Sequence, residues 1–427
     1  MSHYTADLHI HPRSTKSILQ QNCIPEFIFW AKRKGIQLLG TGDFLYPDWL
    51  AVLENELETD GGGFFSPTGA GPVHFMLTAE VEALFQVDGK KYQIHLLLTA
   101  PGFEAARRVG VSLDHLTDLR PGGIPRLKLP ASELVSRVLD VSGESLVIPL
   151  HIWSPWGSLF GSTFGFERLA DCFGAMSPEV PAVETGLSGD PGFCWLKSEL
   201  DTKQIVSFSD AHSPQQIGME FTLFDGDFSY SGVCQAIRGT GSTSIAGTVE
   251  FFSEIGKYYF NGHRDCKVVK SPVETKVEGR RCPACRRELT IGTLQRSLEL
   301  ADREVENLEA VQENGWIHTR ALRRPPYQKT IPLRDIIASA YGIRGKESIT
   351  VDRTYEAALS CGATEYQILQ ELSEADLRSF VEPHVSEGIL RVRESRFKVV
   401  PGFDGVCGQV ELFEESEIAD LTQLKLF

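Results

Sequence analysis

The sequence predicts an α/β protein: a closed barrel of seven strands with intervening helices, then a zinc-binding module, then a small, mainly helical C-terminal domain. Three observations carry this. Seven short apolar runs alternate with helix-like stretches through the first 250 residues, the pattern of parallel strands joined by crossovers. Histidines and carboxylates recur at the ends of those runs, where a barrel gathers its chemistry. Two Cys/His pairs at knuckle spacing follow directly. A single core rarely grows beyond roughly 250–300 residues, so 427 residues imply several units. The expected division is a barrel over 1–250, a zinc module over 251–290, a mainly helical domain over 291–412, and an acidic linker with a short tail over 413–427.

In chain order, the strand runs are Ala6–His9, Gln37–Gly40, Phe75–Val81, Tyr92–Thr99, Ser145–His151, Ala182–Gly186 and Gln204–Ser209. Helices are expected over Pro25–Lys34, Pro47–Leu57, Ala131–Val141 and Phe164–Phe173. His9 and His11 end the first run, Asp43 follows the second, and Glu80 closes the third. His95 lies in the fourth, His151 ends the fifth, Glu184 lies in the sixth, and Asp210 and His212 end the seventh. A lone histidine in an apolar strand is usually a core residue, but alternate strand positions share a face. His9 and His11 therefore point together, as do Asp210 and His212. Imidazole and carboxylate ligate zinc, manganese and magnesium, so these nine residues are candidate ligands for two or three divalent ions. Glu80 and Asp210 are the expected bridging carboxylates, and these two with His212 form the candidate catalytic set.

Downstream, His263-x₂-Cys266 and Cys282-x₂-Cys285, fifteen residues apart, fit a closed tetrahedral site for one structural zinc. Arg264, Arg280, Arg281, Arg286 and Arg287 crowd this module, and Arg323 and Arg324 follow in a basic linker; these are the candidate DNA-binding residues. The formal charge of −15 argues against a general nucleic-acid binder, yet Lys257–Arg296 holds ten Lys/Arg against four Asp/Glu. An amphipathic helix is expected from about Leu289 to Leu308, shorter helices over Leu333–Tyr341, Tyr355–Ser360 and Ala375–Val385, and strands over Gly388–Val392 and Phe397–Val400. No apolar run approaches the ~20 residues of a membrane helix, no secretion signal is evident, and nine scattered cysteines do not form a disulfide framework. A cytoplasmic, nucleoid-associated enzyme is the expectation.

The phrases DLHIHP, GTGDF, TAEVE, IHLLL, PLHIWSPW, VETGLSGDP and SFSDAHSP resemble the motifs of the polymerase-and-histidinol-phosphatase (PHP) phosphoesterase domain. The longer stretches around HIWSPW, ETGLSGDP and SDAHSP are similar to one branch, endonuclease Q. The resemblance spans Thr5 to about Leu412 and implies a distorted seven-stranded β/α barrel with a multinuclear metal site. It also implies hydrolysis of DNA on the 5′ side of deaminated bases (uracil, hypoxanthine, xanthine), leaving a 3′-hydroxyl and a 5′-phosphate. Two positions depart from it. Tyr46 stands where the family carries a histidine after GDF, which bears on a metal or phosphate contact, and Tyr259 replaces another histidine beside the zinc module. The chain ends in Gln423-Leu424-Lys425-Leu426-Phe427, which resembles the peptide by which bacterial proteins dock on the DNA-polymerase sliding clamp; Gln423, Leu424, Leu426 and Phe427 would make that contact. The competing expectations are a small-molecule phosphatase of the same superfamily and a DNA nuclease or accessory protein without lesion specificity.

Overall fold

All seven predicted runs form strands: β1 (His3–Asp7), β2 (Leu38–Gly40), β3 (His74–Val87), β4 (Lys90–Ala100), β5 (Val147–Pro149), β6 (Ala182–Glu184) and β7 (Gln204–Val206). The structure is a computed structural model that describes residues 3–12, 23–69, 71–119, 123–343, 348–414 and 417. The clamp-like residues Gln423, Leu424, Leu426 and Phe427 lie outside the described residues. β1 pairs with β2 and β2 with β3 in parallel, β4 pairs antiparallel with both β3 and β5, and β6 and β7 form a separate parallel pair. Beyond the strand ends, Ile152 N donates to Glu184 O at 3.1 Å, and His11 N donates to Ala211 O at 2.8 Å. These bonds link β5 to β6 and β7 back to β1.

The antiparallel β4 corrects the expectation of parallel pairing throughout. Asp88 and Gly89, at φ 51° and 77°, make the two-residue left-handed turn of a hairpin, so β3 doubles back at once instead of crossing over through a helix.

The helices α1 (Cys23–Lys34), α2 (Pro47–Glu56), α3 (Phe103–Leu113), α4 (Ala131–Val141) and α5 (Leu169–Phe173) flank these strands. α4 shows why they form: Leu134, Val135 and Val138 are fully buried at helical spacing against the strands. α3 goes unpredicted, and α5 is half the expected length.

β8 (Phe221–Asp225) adds antiparallel to β1, and β9 (Ser244–Phe251) adds antiparallel to β8. β10 (Asn261–His263) and β11 (Val268–Lys270) form a small hairpin inside the expected zinc module. The central sheet then resumes with β12 (Ala310–Glu313), β13 (Trp316–Thr319) and β14 (Tyr327–Thr330), with β14 parallel to β9. Residues 310–330, expected in a helical domain with a linker, therefore extend the main sheet.

The expected long helix after Leu289 is a seven-residue helix, Thr293–Glu299. Its path ends where Asp302 turns away, its N–H donating to Leu196 O and its carboxylate accepting from Ser198. The C-terminal helices are Leu333–Ala340, Ile349–Leu359, Glu374–Phe380 and Pro383–Arg393. Gly388–Val392, expected as a strand, belongs to the last of these: Pro383 opens it and Val385, Ile389 and Val392 are buried at helical spacing. The C-terminal part is fastened to α1 by a buried ion pair. Lys34 Nζ lies 2.9 Å from Glu365, which also accepts from Tyr355 Oη at 2.7 Å and from Leu333 N at 3.0 Å.

Among the described residues no helix is long and apolar enough to cross a membrane, and none of the nine cysteines is in a disulfide.

Candidate metal centre and cleft

The strand ends hold their side chains in unusual backbone conformations. Asp43, His151 and Asp210 adopt φ of 53°, 32° and 50°, left-handed values that L side chains seldom take and that cluster at functional sites. The chain can turn this tightly beside His151 because Gly186 faces it: a Cβ there would sit 2.4 Å from the His151 Cβ. Asp7, two residues before His9 and therefore on its face, fixes the far side. Its carboxylate accepts from Ser209 N at 2.9 Å, Ser209 Oγ at 2.6 Å and Gly218 N at 2.9 Å, tying β1 to the loop that carries Asp210. Burial pushes the Asp7 carboxyl up to about 6, even against those donors.

Two groups of donor atoms meet at this mouth and share one carboxylate. His9, His11, Glu80 and Asp210 bring one ligand atom each to within 4.8 Å of one another, and Glu80, His95 and His151 do the same. Glu80 Oε2 lies 2.9 Å from His11 Nε2 and 3.3 Å from His9 Nε2, while Asp210 Oδ1 lies 2.8 Å from His11 Nε2. Glu80 Oε1 turns the other way, 2.6 Å from His95 Nδ1 and 3.7 Å from His151 Nε2. Ligands about 2.0–2.2 Å from a single ion leave edges of roughly 3 Å between them, so the donor set and its spacing fit divalent cations on both sides of Glu80.

Three of the four imidazoles, those of His9, His95 and His151, are held from behind. His9 Nδ1 donates to Glu184 Oε1 at 2.9 Å, and Glu184 Oε2 accepts from His151 N at 2.8 Å. His151 Nδ1 lies 3.1 Å from Ser158 Oγ, and His95 Nε2 lies 3.7 Å from Glu82. Such outer contacts set the ring orientation of ligating histidines. Glu184, Asp43 and His212, all candidate ligands on sequence, lie outside both groups. Both Glu184 oxygens are engaged, one by the His9 ring and one by the His151 backbone. His212 sits at the rim with its side chain 55% exposed and its Nδ1 2.7 Å from Asp210 O. Tyr46, at the position that departs from the family, donates its hydroxyl to Gly123 O at 2.5 Å.

The electrostatics call for positive charge. Burial opposes ionisation of Glu80, yet the imidazoles of His11 and His95 hold it well below the usual carboxylate range. Burial likewise opposes protonation of His11 and His95, but the neighbouring carboxylates, Glu80 foremost, push them up to about 10 and about 9. A divalent ion needs neutral imidazoles and must displace those protons. Apparent metal affinity is therefore expected to keep rising as pH goes from 6 to 9, well past the ordinary imidazole pKa near 6.5. Manganese titrations at fixed ionic strength would show it, and an affinity that levels off above pH 7 would contradict it.

A cavity of about 1200 Å³ opens beside this centre, lined by His151, Asp210 and His212 and also by Asp335, Ala338 and Val410 of the C-terminal part. Gly186–Ser188 and Trp156 form part of its wall. None of the seven candidate DNA-binding arginines lines it. Arg264, Arg280, Arg281, Arg286, Arg287 and Arg323 are exposed, with Arg280 bonded to Glu299 at 2.7 Å. Arg324 is a correction. Its guanidinium turns inward, bonded to the carbonyls of Lys203 and Leu200, and works as an internal tie between segments.

His263, Cys266, Cys282 and Cys285 form a third group. Cys285 Sγ lies 3.6 Å from His263 Nδ1, the edge expected of a tetrahedron with bonds of about 2.0–2.3 Å. Backbone N–H groups of Cys285 and Ala284, aimed at its sulfur, push the Cys282 thiol down to about 7, toward the thiolate that zinc binds. Tyr259 stands outside the group, stacked between Phe193 and Phe260.

No family model matches the chain. It is similar from end to end to the lesion-specific endonuclease PfuEndoQ of Pyrococcus furiosus, at 27% identity and a TM-score of 0.81, covering 100% of this chain and 99% of that one. It is equally similar to endonuclease Q bound to a 27-mer duplex substrate with an abasic lesion at the active site, at 27% identity and a TM-score of 0.82, covering 98% of each. YqxK, an uncharacterized protein of Bacillus subtilis, is 27% identical over 95% of this chain and 98% of its own length. An uncharacterized protein of Methanocaldococcus jannaschii is 27% identical over 285 residues, 64% of this chain; that match spans a third (33%) of the archaeal protein.

Proposed function

The chain shares the endonuclease Q architecture along its whole length, and on that premise we propose that it is a metal-dependent DNA endonuclease that cuts on the 5′ side of a deaminated base. The observation that carries this is Glu80, with one oxygen turned to each donor group at the mouth of a cleft. His9, His11 and Asp210 would hold an ion on one side and His95 and His151 on the other. Divalent ions bound there supply Lewis acidity that activates water and offsets phosphoryl charge in an in-line displacement. The chain's own part is placement. Glu184, Ser158 and Glu82 keep the imidazoles turned inward, the Asp7–Ser209 clamp fixes the loop bearing Asp210, and the wall of Gly186–Ser188 and Trp156 bounds the space for an extruded base. His212, exposed at the rim with its Nδ1 beside Asp210 O, would contact the phosphate that is cut.

The seven linked strands support reading the N-terminal part as the distorted PHP barrel. The Cys/His group supports a structural zinc whose exposed arginines face DNA outside the cleft, and the Gln423–Phe427 peptide supports docking on a sliding clamp.

The test uses end-labelled duplexes carrying one uracil or one hypoxanthine, beside undamaged duplex and a phosphomonoester. The expected result is a single cut 5′ of the lesion, with 3′-hydroxyl and 5′-phosphate ends, abolished by chelation and restored by manganese. Equal cutting of undamaged duplex, or hydrolysis of the phosphomonoester alone, would overturn the proposal.

A further inference from the structure

The cleft is acidic where a polyanion must enter. Asp210 and Asp335 line it, and Lys257 is the one Lys or Arg among its described lining residues. Among the described residues, Lys257 is exposed and its ammonium forms no ion pair, whereas Lys329 is already engaged by Asp190 and Glu254 at 2.9 and 3.3 Å.

Its backbone is anchored on both sides. The neighbouring Gly256 lies so close to the loop after β6 that a Cβ would meet Leu187 O and Ser188 Oγ at 2.4 Å. Tyr258 N donates to Ser188 Oγ at 3.3 Å, and Lys257 O accepts from Gly405 N at 2.9 Å. Tyr258 in turn meets Trp156 edge-on at 5.4 Å, so the lysine stands beside an aromatic wall. A long, flexible side chain is here mounted on a fixed base in the wall of the cleft that opens beside the metal centre. Lysine acts on phosphate as a point charge and needs no bidentate geometry, so it suits a sequence-independent contact.

We propose that Lys257 grips a backbone phosphate of the DNA strand drawn into the cleft, beside the phosphodiester that is cut. This rests on the endonuclease reading and adds a substrate contact that none of the predicted arginines provides. Each phosphate neutralised by a protein cation steepens the fall of log affinity with log salt by about 0.9, a signature that loss of folding or of metal does not mimic.

The test compares wild type, Lys257→Ala and Lys257→Arg as full-length, metal-loaded proteins, measuring affinity for a uracil-containing duplex from 50 to 300 mM KCl under non-cleaving calcium conditions. Lys257→Ala is expected to bind about tenfold more weakly at low salt, with a salt slope shallower by roughly one and unchanged metal content. Lys257→Arg is expected to restore the slope. An unchanged slope and affinity in Lys257→Ala, with a wild type that cuts 5′ of uracil, overturns this contact and leaves the endonuclease reading standing. A wild type that neither binds nor cuts the duplex overturns both.

Discussion

Glu80→Gln is expected to lower the cleavage rate by a thousandfold or more while leaving duplex affinity within a few-fold of wild type. The substitution keeps volume and shape but replaces one carboxylate oxygen with an amide nitrogen, which does not ligate a cation. Either oxygen lost removes a ligand from one of the two groups, because Oε2 belongs with His9, His11 and Asp210 and Oε1 with His95 and His151. Outer-shell substitutions at metal sites cost about 10–100-fold, so loss of a shared inner carboxylate should exceed that range; a thousandfold corresponds to about 4 kcal/mol of transition-state stabilisation. DNA affinity should survive because Glu80 is only 3% exposed, beneath the surface that substrate touches. Single-turnover cleavage with metal analysis of the same sample checks both halves. A variant that retains near wild-type rates would remove Glu80 from the chemistry.

Cys282→Ser is expected to release one zinc and unfold the segment around residues 261–290 while the N-terminal strands stay folded. That segment has little core of its own. β10 and β11 are three residues each, and its arginines are exposed. Apparent zinc-binding free energies of about 10–16 kcal/mol make such sites the main source of folding energy in small modules, and a serine hydroxyl is a far poorer ligand than a thiolate. Cys282 is buried at the centre of the group, with its sulfur already drawn toward thiolate by two backbone N–H donors. Zinc content lower by one equivalent and rapid amide exchange confined to the module are the expected readouts. Wild-type zinc content would contradict the site.

What the sequence makes legible follows from local rules. His9 and His11, and equally Asp210 and His212, advertise themselves because alternate residues of an extended segment share a face, and the structure brings His9, His11 and Asp210 together. The same rule applied to Asp7 and Glu82 would have flagged both, each two residues from a recognised neighbour, yet neither stands out because acids in or beside apolar strands are easily taken for surface residues. Roles are harder to see than places. That Glu184 bonds the His9 ring and the His151 backbone, and lies outside the donor groups, depends on the packing of three strand ends, and that is a tertiary fact. Arg324 is basic in sequence but internal in the fold for the same reason. The hairpin at Asp88-Gly89 carried a readable signal that the alternation of strands and helices obscured. The three strands between Ala310 and Thr330 carried almost none, being short and polar, and they join the sheet in series, β12 on β13, β13 on β14 and β14 on β9. An apolar run such as Gly388–Val392 is ambiguous between helix and strand at that length.

The central claim is that residues far apart in sequence converge on cations that flank Glu80. Anomalous diffraction from crystals grown with manganese, collected on both sides of the metal edge, tests it directly. The account predicts one peak among His9, His11, Asp210 and Glu80 Oε2, and another among His95, His151 and Glu80 Oε1. A mouth with no anomalous peak, or with Glu80 turned away from the peaks that appear, would contradict it.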